Sequence, residues 1–98
     1  MKENDVETNA RREAIADGWT VRKIMFIGHT GGPDRFFAKP VPGAAFGRIV
    51  LLEMKRPGKT VRPRQDREIR ELRAAGVEVY ACDTIDQVRK CLGLPTPS

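Results

Sequence analysis

The sequence predicts an α/β fold, a mixed β-sheet with helices packed on its faces, in the order α-β-β-β-α-β-α. Three features predict it. The run Arg48-Ile49-Val50-Leu51-Leu52-Glu53-Met54-Lys55 is apolar enough for a central strand. Two other β-prone segments precede it with no helical pattern between them. A helical segment then separates it from a last β-prone stretch, and such a crossover joins parallel neighbours in one sheet.

Taken in order, Asp5 suits an N-cap, and Val6, Ala10 and Ala14 recur every fourth residue in a helix running to about Asp17, with Gly18 as its stop. From Trp19 to Ile27 the β-branched and aromatic residues predict a strand, which Gly28-His29-Thr30-Gly31-Gly32-Pro33 breaks. Arg35-Phe36-Phe37-Ala38 predicts a short second strand, and Pro40, Pro42, Gly43 and Gly47 mark the loop into the third. Pro63 suits a first helical turn, Ile69 and Leu72 lie on one face, and Gly76 ends that helix. Val77 to Cys82 forms the fourth strand. Thr84-Ile85-Asp86-Gln87 has the form of a capping box opening a helix through Leu92, and Leu94 to Ser98 reads as a loose tail.

A chain of 98 residues fits one domain, 1–98, with a core spanning about 5–92. The polar N-terminus and short apolar runs argue against a membrane span or signal peptide, so a soluble, cytoplasmic protein is expected. Cys82 and Cys91 lie nine positions apart beside a single histidine, which supplies neither a zinc site nor a disulfide framework. The net charge is +5, from 18 basic and 13 acidic residues, and this favours a polyanionic partner. Five cations and no anion fall between Lys55 and Arg64: Lys55, Arg56, Lys59, Arg62 and Arg64.

Side chains alternate across a strand, so Glu53 and Lys55 leave one face of the third strand while Leu52 and Met54 leave the other. An acid and a cation on one side of a central strand need either water or a function. Gly31-Gly32-Pro33-Asp34 places a carboxylate at the start of the preceding strand, where an Asp is also an ordinary turn residue. The spacing from Asp34 to Glu53 suits a hairpin that brings the two acids together.

Pro33-Asp34 followed by Glu53-Met54-Lys55 resembles the PD-(D/E)xK nuclease superfamily. The accompanying basic loop, Pro63-Arg64-Gln65, Leu72, Ala75-Gly76-Val77 and Val79-Tyr80 resemble the virus-type replication-repair nuclease (VRR-NUC) domain over about residues 5–92. That resemblance implies a restriction-endonuclease-like fold of the stand-alone kind found in phages and bacteria. It also implies an enzyme, a DNA endonuclease dependent on Mg²⁺ or Mn²⁺. Asp34, Glu53 and the Met54 backbone carbonyl would hold the cation, consistent with the preference of hard cations for oxygen. Lys55 would hold the attacking water or the phosphate. Gln65 would lie near the active site, orienting the lysine or a water; its place at the head of the Gln65-Ile69-Leu72 stripe also suits a capping role. The acid that the family carries on its first helix corresponds to Glu7, with Glu13 the next candidate; Glu7 could instead serve the helix dipole.

Other residues signal less. His29 could touch phosphate or be solvated, Lys23 could face the site or the surface, and Trp19, Phe36 and Phe37 read as core. No Gly-Lys-Ser/Thr follows the glycines at 28–32, which removes a nucleotide-binding loop. Arg64, Arg67, Arg70 and Arg73 form a basic ridge that Glu68 and Glu71 could pair. Arg56, Lys59, Arg62 and Arg64 are the expected DNA contacts. The alternative is a nucleic-acid-binding module without catalysis that uses the basic loop 55–64. Carboxylates among the cations favour the nuclease, since acids repel phosphate unless a cation intervenes. Stand-alone members of the family are expected to pair, and a homodimer would suit branched DNA such as a four-way (Holliday) junction.

Overall fold

The computed structural model describes residues 3–29, 31–55 and 62–96. Its elements are α1 (Glu3–Ala16), β1 (Thr20–Lys23), β2 (Arg35–Lys39), β3 (Arg48–Met54), α2 (Pro63–Ala74), β4 (Glu78–Cys82) and α3 (Ile85–Leu92). The expected order α-β-β-β-α-β-α is therefore the observed one. The four strands form one sheet in the order β1-β2-β3-β4. β1 with β2 and β2 with β3 are antiparallel, whereas β3 and β4 are parallel. Parallel neighbours need a crossover, and α2 supplies it.

Alternation along β3 divides the interior in two. Val50, Leu52 and Met54 join Val6, Ala10 and Ala14 of α1, Val88 and Leu92 of α3, Trp19 and Phe37 in the larger core cluster. Two alanines in the α1 stripe let that helix sit close to the sheet. Trp19 meets Phe37 edge to face at a centroid separation of 6.5 Å, a favourable arrangement of their ring quadrupoles. On the other face Leu51 and Val79 pack with Ile69 of α2, flanked by Phe36 and Leu72.

Three expectations are corrected. α1 has begun by Glu3, so Asp5 lies in its first turn, where a carboxylate suits the dipole, and is not the cap. β1 stops at Lys23, opposite Arg35. Beyond it Ile24 still donates its N–H to the Asp34 carbonyl and packs with Phe26 on the smaller cluster, while Met25 and Ile27 are exposed. Leu94 belongs to the core. It is carried there by left-handed Gly93, and its N–H bonds back to the Arg89 carbonyl.

The two thiols are neighbours in space. Cys82 and Cys91 are both free, yet the end of β4 and the last turn of α3 bring their sulfurs to 3.9 Å. Burial, followed by the neighbouring Cys91, pushes the Cys82 thiol up to about 12. The Thr84 cap forms as expected, its hydroxyl accepting from Gln87 N–H at 3.2 Å. Gln87 Oε1 accepts in turn from the Asp83 N–H at 2.8 Å, one residue earlier than a standard capping box.

Candidate active site

The β2–β3 register pairs Arg35 with Leu52. One further step sets Asp34 opposite Glu53, and opposed residues of an antiparallel pair share a face. That face is the α2 face, because Glu53 lies out of phase with Val50, Leu52 and Met54. The Asp34 backbone is held by the residue that follows β1, its carbonyl accepting the Ile24 N–H at 3.0 Å. Asp34 Oδ1 is buried with no hydrogen-bond partner among the described residues. A buried carboxylate oxygen of this kind is costly unless something binds it.

Glu53 is 9% exposed, and its Oε1 accepts from Gln65 Nε2 at 3.1 Å. The other end of the same amide accepts the Arg62 N–H at 3.1 Å. Arg62 is the N-cap residue of α2 and its guanidinium offers no acceptor, so Gln65 from the third helical position closes the helix start. One amide thus ties the start of α2 to Glu53.

The approach of the glycine loop to α2 depends on Gly31. Its φ is +84°, and a Cβ there would lie 3.0 Å from the Gln65 backbone nitrogen. The first turn of α2 thus sits against the loop that delivers Asp34.

Lys55 follows β3 directly and is half-buried. Its N–H donates to the Cys82 carbonyl at 2.8 Å, so the parallel ladder continues one step past the strand and keeps Lys55 in phase with Glu53. Met54 buries its side chain in the opposite core, leaving its backbone between the two functional residues.

Glu7 stands differently. It pairs with Arg35 at 2.9 Å, and Arg35 approaches Asp34 Oδ2 at 3.5 Å while donating to the Asp34 carbonyl at 3.1 Å. Glu7 is thus connected to Asp34 through a guanidinium. Glu13 is committed elsewhere, in a two-pronged bond to Arg89 of α3 at 2.8 Å for each contact. This bond holds the Glu13 carboxyl below its usual range. Arg35 escaped the sequence reading, although a cation directly after Pro-Asp was its visible signal.

Arg62 and Arg64 are exposed at the start of α2, while Arg56 and Lys59 lie outside the described residues. The arginine ridge is only partly available: Arg70 pairs with Asp66 at 2.9 Å, and Arg73 donates to the Val79 carbonyl and covers Tyr80. Among the described residues no group of three or more His, Cys, Asp and Glu could hold a metal ion. A cation at this centre would therefore rest on two carboxylates and backbone oxygen. The orphaned Asp34 Oδ1 and the hard-oxygen donors fit Mg²⁺ or Mn²⁺.

The fold is a four-stranded mixed α/β sheet with opposed carboxylates on its second hairpin and a lysine beyond them. A solved structure described as a VRR_NUC domain matches with a TM-score of 0.77 and 30% sequence identity, covering 95% of this chain and 96% of that one. The protein described as "Putative nuclease p44", from Acyrthosiphon pisum secondary endosymbiont phage 1, is 33% identical over 86 residues, 88% of this chain and 87% of that protein. No protein-family model matches. The chain belongs to the VRR_NUC family. No helix among its described residues is long and apolar enough to cross a membrane.

Proposed function

We propose that this protein is a metal-dependent DNA endonuclease of a phage or its bacterial host, acting in the cytoplasm. The observation that carries the reading is the cross-strand position of Asp34 and Glu53, with Glu53 held by Gln65. Asp34, Glu53 and the Met54 carbonyl are the proposed donors for Mg²⁺ or Mn²⁺. When bound, the cation supplies charge neutralisation at the scissile phosphate and lowers the pKa of water. Lys55, in phase with Glu53, orients the attacking water or a phosphate oxygen. Gln65 fixes the Glu53 carboxylate so that less reorganisation is needed on binding. Glu7 acts through Arg35 in the metal-free state and is a further candidate ligand. Arg62 and Arg64, with Arg56 and Lys59 of the basic loop, contact the DNA backbone.

The proposed substrate is branched DNA such as a four-way junction, cut by a homodimer. One chain carries a single centre, and a two-fold pair would present two in opposite orientation. Labelled linear, flapped and four-way DNA, incubated with Mg²⁺, Mn²⁺ or EDTA, tests the proposal. Metal-dependent cleavage strongest on the four-way substrate is expected. Full activity in EDTA would overturn metal dependence, and salt-sensitive binding without cleavage would favour a non-catalytic DNA-binding module using loop 55–64. Equal rates on all substrates by a light-scattering monomer would remove the junction and the dimer while leaving the nuclease.

A further inference from the structure

Two acids are buried among the described residues, Glu53 and Glu68. The proposed metal chemistry accounts for Glu53 and leaves Glu68 unexplained. Glu68 lies on α2 one turn beyond Gln65, with its side chain 10% exposed, and its Oε2 stands 3.4 Å from His29 Nδ1. His29 comes from the same glycine-rich loop that delivers Asp34, and its side chain is 63% exposed.

Burying a carboxylate is costly unless it is paired. Here the pairing is with one nitrogen of a loop histidine whose side chain is otherwise largely exposed. Beside the pair is an open polar cavity of about 240 Å³, lined by Gly28, His29, Arg64, Arg67, Glu68 and Glu71. Three of those residues can present cationic N–H groups.

We propose that this cavity is a second phosphate subsite, in which His29, positioned by Glu68, receives a backbone phosphate neighbouring the scissile one. The inference rests on the nuclease reading for its choice of polyanion. The geometry suits it, since Gln65 at the catalytic centre and Glu68 at the cavity are three residues apart on one helix face, a rise of about 4.5 Å. A phosphate on the Nε2 side would place the ring between two anions, with Arg64 and Arg67 offsetting Glu68 and Glu71. Those four α2 side chains are the charged groups lining the cavity around the ring.

His29 is the chain's single histidine, so its imidazole resonances are unambiguous. The test titrates the whole protein with a duplex oligonucleotide in EDTA, where cleavage is suppressed, and follows the ring nitrogens by NMR and the affinity by anisotropy. Movement of the Nε2 resonance is expected, together with an affinity loss of about fivefold in His29→Ala. Glu68→Gln should reproduce part of the loss without adding to His29→Ala.

Wild-type DNA binding with unmoved ring resonances would overturn the subsite and leave the nuclease standing. So would His29→Ala with lowered melting but unchanged affinity, the mark of a staple between loop and helix. Ring movement without metal-dependent cleavage would keep the subsite and overturn the nuclease. Failure to bind DNA in EDTA would overturn the subsite and leave the nuclease to the metal-dependent cleavage test.

Discussion

Gln65 and Glu53 are joined by a 3.1 Å hydrogen bond whose donor amide also closes the start of α2. One side chain therefore serves a stability term and a positioning term, and two substitutions separate them. Gln65→Glu retains an acceptor for the Arg62 N–H but sets a carboxylate against Glu53. It should melt within about 0.5 kcal/mol of the parent yet lose cleavage. Gln65→Ala should lose both, with about 1 kcal/mol of stability gone. Calorimetry beside a cleavage assay reads the pair, and parallel loss in both variants would refute separable roles.

Asp34 is predicted to report metal directly. At about one hundred times its Kd, Mn²⁺ should stabilise the parent by about 2.7 kcal/mol, a rise in Tm on the order of 10 °C for a chain of this size. Asp34→Ala should lose that rise, yet without metal melt within about 1 kcal/mol of the parent, because the deletion removes a buried oxygen that lacks a partner. An unchanged metal response in the variant would place the cation elsewhere.

Gly31→Ala should destabilise by about 1–2 kcal/mol from its backbone conformation alone, since φ is +84°. The contact 3.0 Å from the Gln65 nitrogen adds to this. The loop can relieve that contact only by moving Asp34 away from Glu53, so activity should fall further than stability. Equal stability of variant and parent would show that the approach is not tight.

Acid should weaken the fold through two arginine partners. The Arg89 hydrogen bond holds Glu13, and the Arg48 hydrogen bond holds Glu78, below the usual carboxyl value of 4.5. A carboxyl depressed in the folded state contributes stability that is complete above its unfolded value and is lost as pH falls through the folded one. Melting followed from neutral pH into acid should show this loss below about pH 4.5, and Glu13→Gln should flatten it. An acid limb of unchanged steepness in that variant would count against the Arg89 pair.

Leu94→Ala should cost about 2–4 kcal/mol, although its position after Gly93 reads as tail. Pro95→Ala, at an exposed neighbour, should stay within about 0.5 kcal/mol. Denaturant midpoints would settle the contrast, and equal midpoints would return Leu94 to the tail.

Elements with a strong period were legible from the chain alone: the Val6-Ala10-Ala14 stripe, the β3 run and the Thr84 cap all appear where expected. β1 ran too long in the sequence reading because Ile24 and Phe26 are β-prone by type. Only the register with β2 reveals that the strand ends at Lys23, with one further bond from Ile24 to Asp34, and that Phe26 packs as loop. Leu94 was misread because polar composition marks a tail, whereas one apolar residue after a left-handed glycine can turn back to the core. At the site, Asp34, Glu53 and Lys55 were visible as a pattern and Gln65 as a polar break in an apolar stripe. The Arg35–Glu7, His29–Glu68 and Cys82–Cys91 contacts join separate elements at separations that no local pattern encodes.

The two faces of the sheet hold unequal apolar reserves. The α1 and α3 side buries most of the core, whereas the α2 side buries only Leu51, Ile69 and Val79 among the described residues. Local opening free energies should follow that division. Amides of β3 would then exchange with solvent only through global unfolding, while those of α2 exchange through a cheaper, partial detachment. The layer that carries Gln65 and Glu68 is thus the one that could release and re-dock around a bulky strand while the rest of the molecule stays folded.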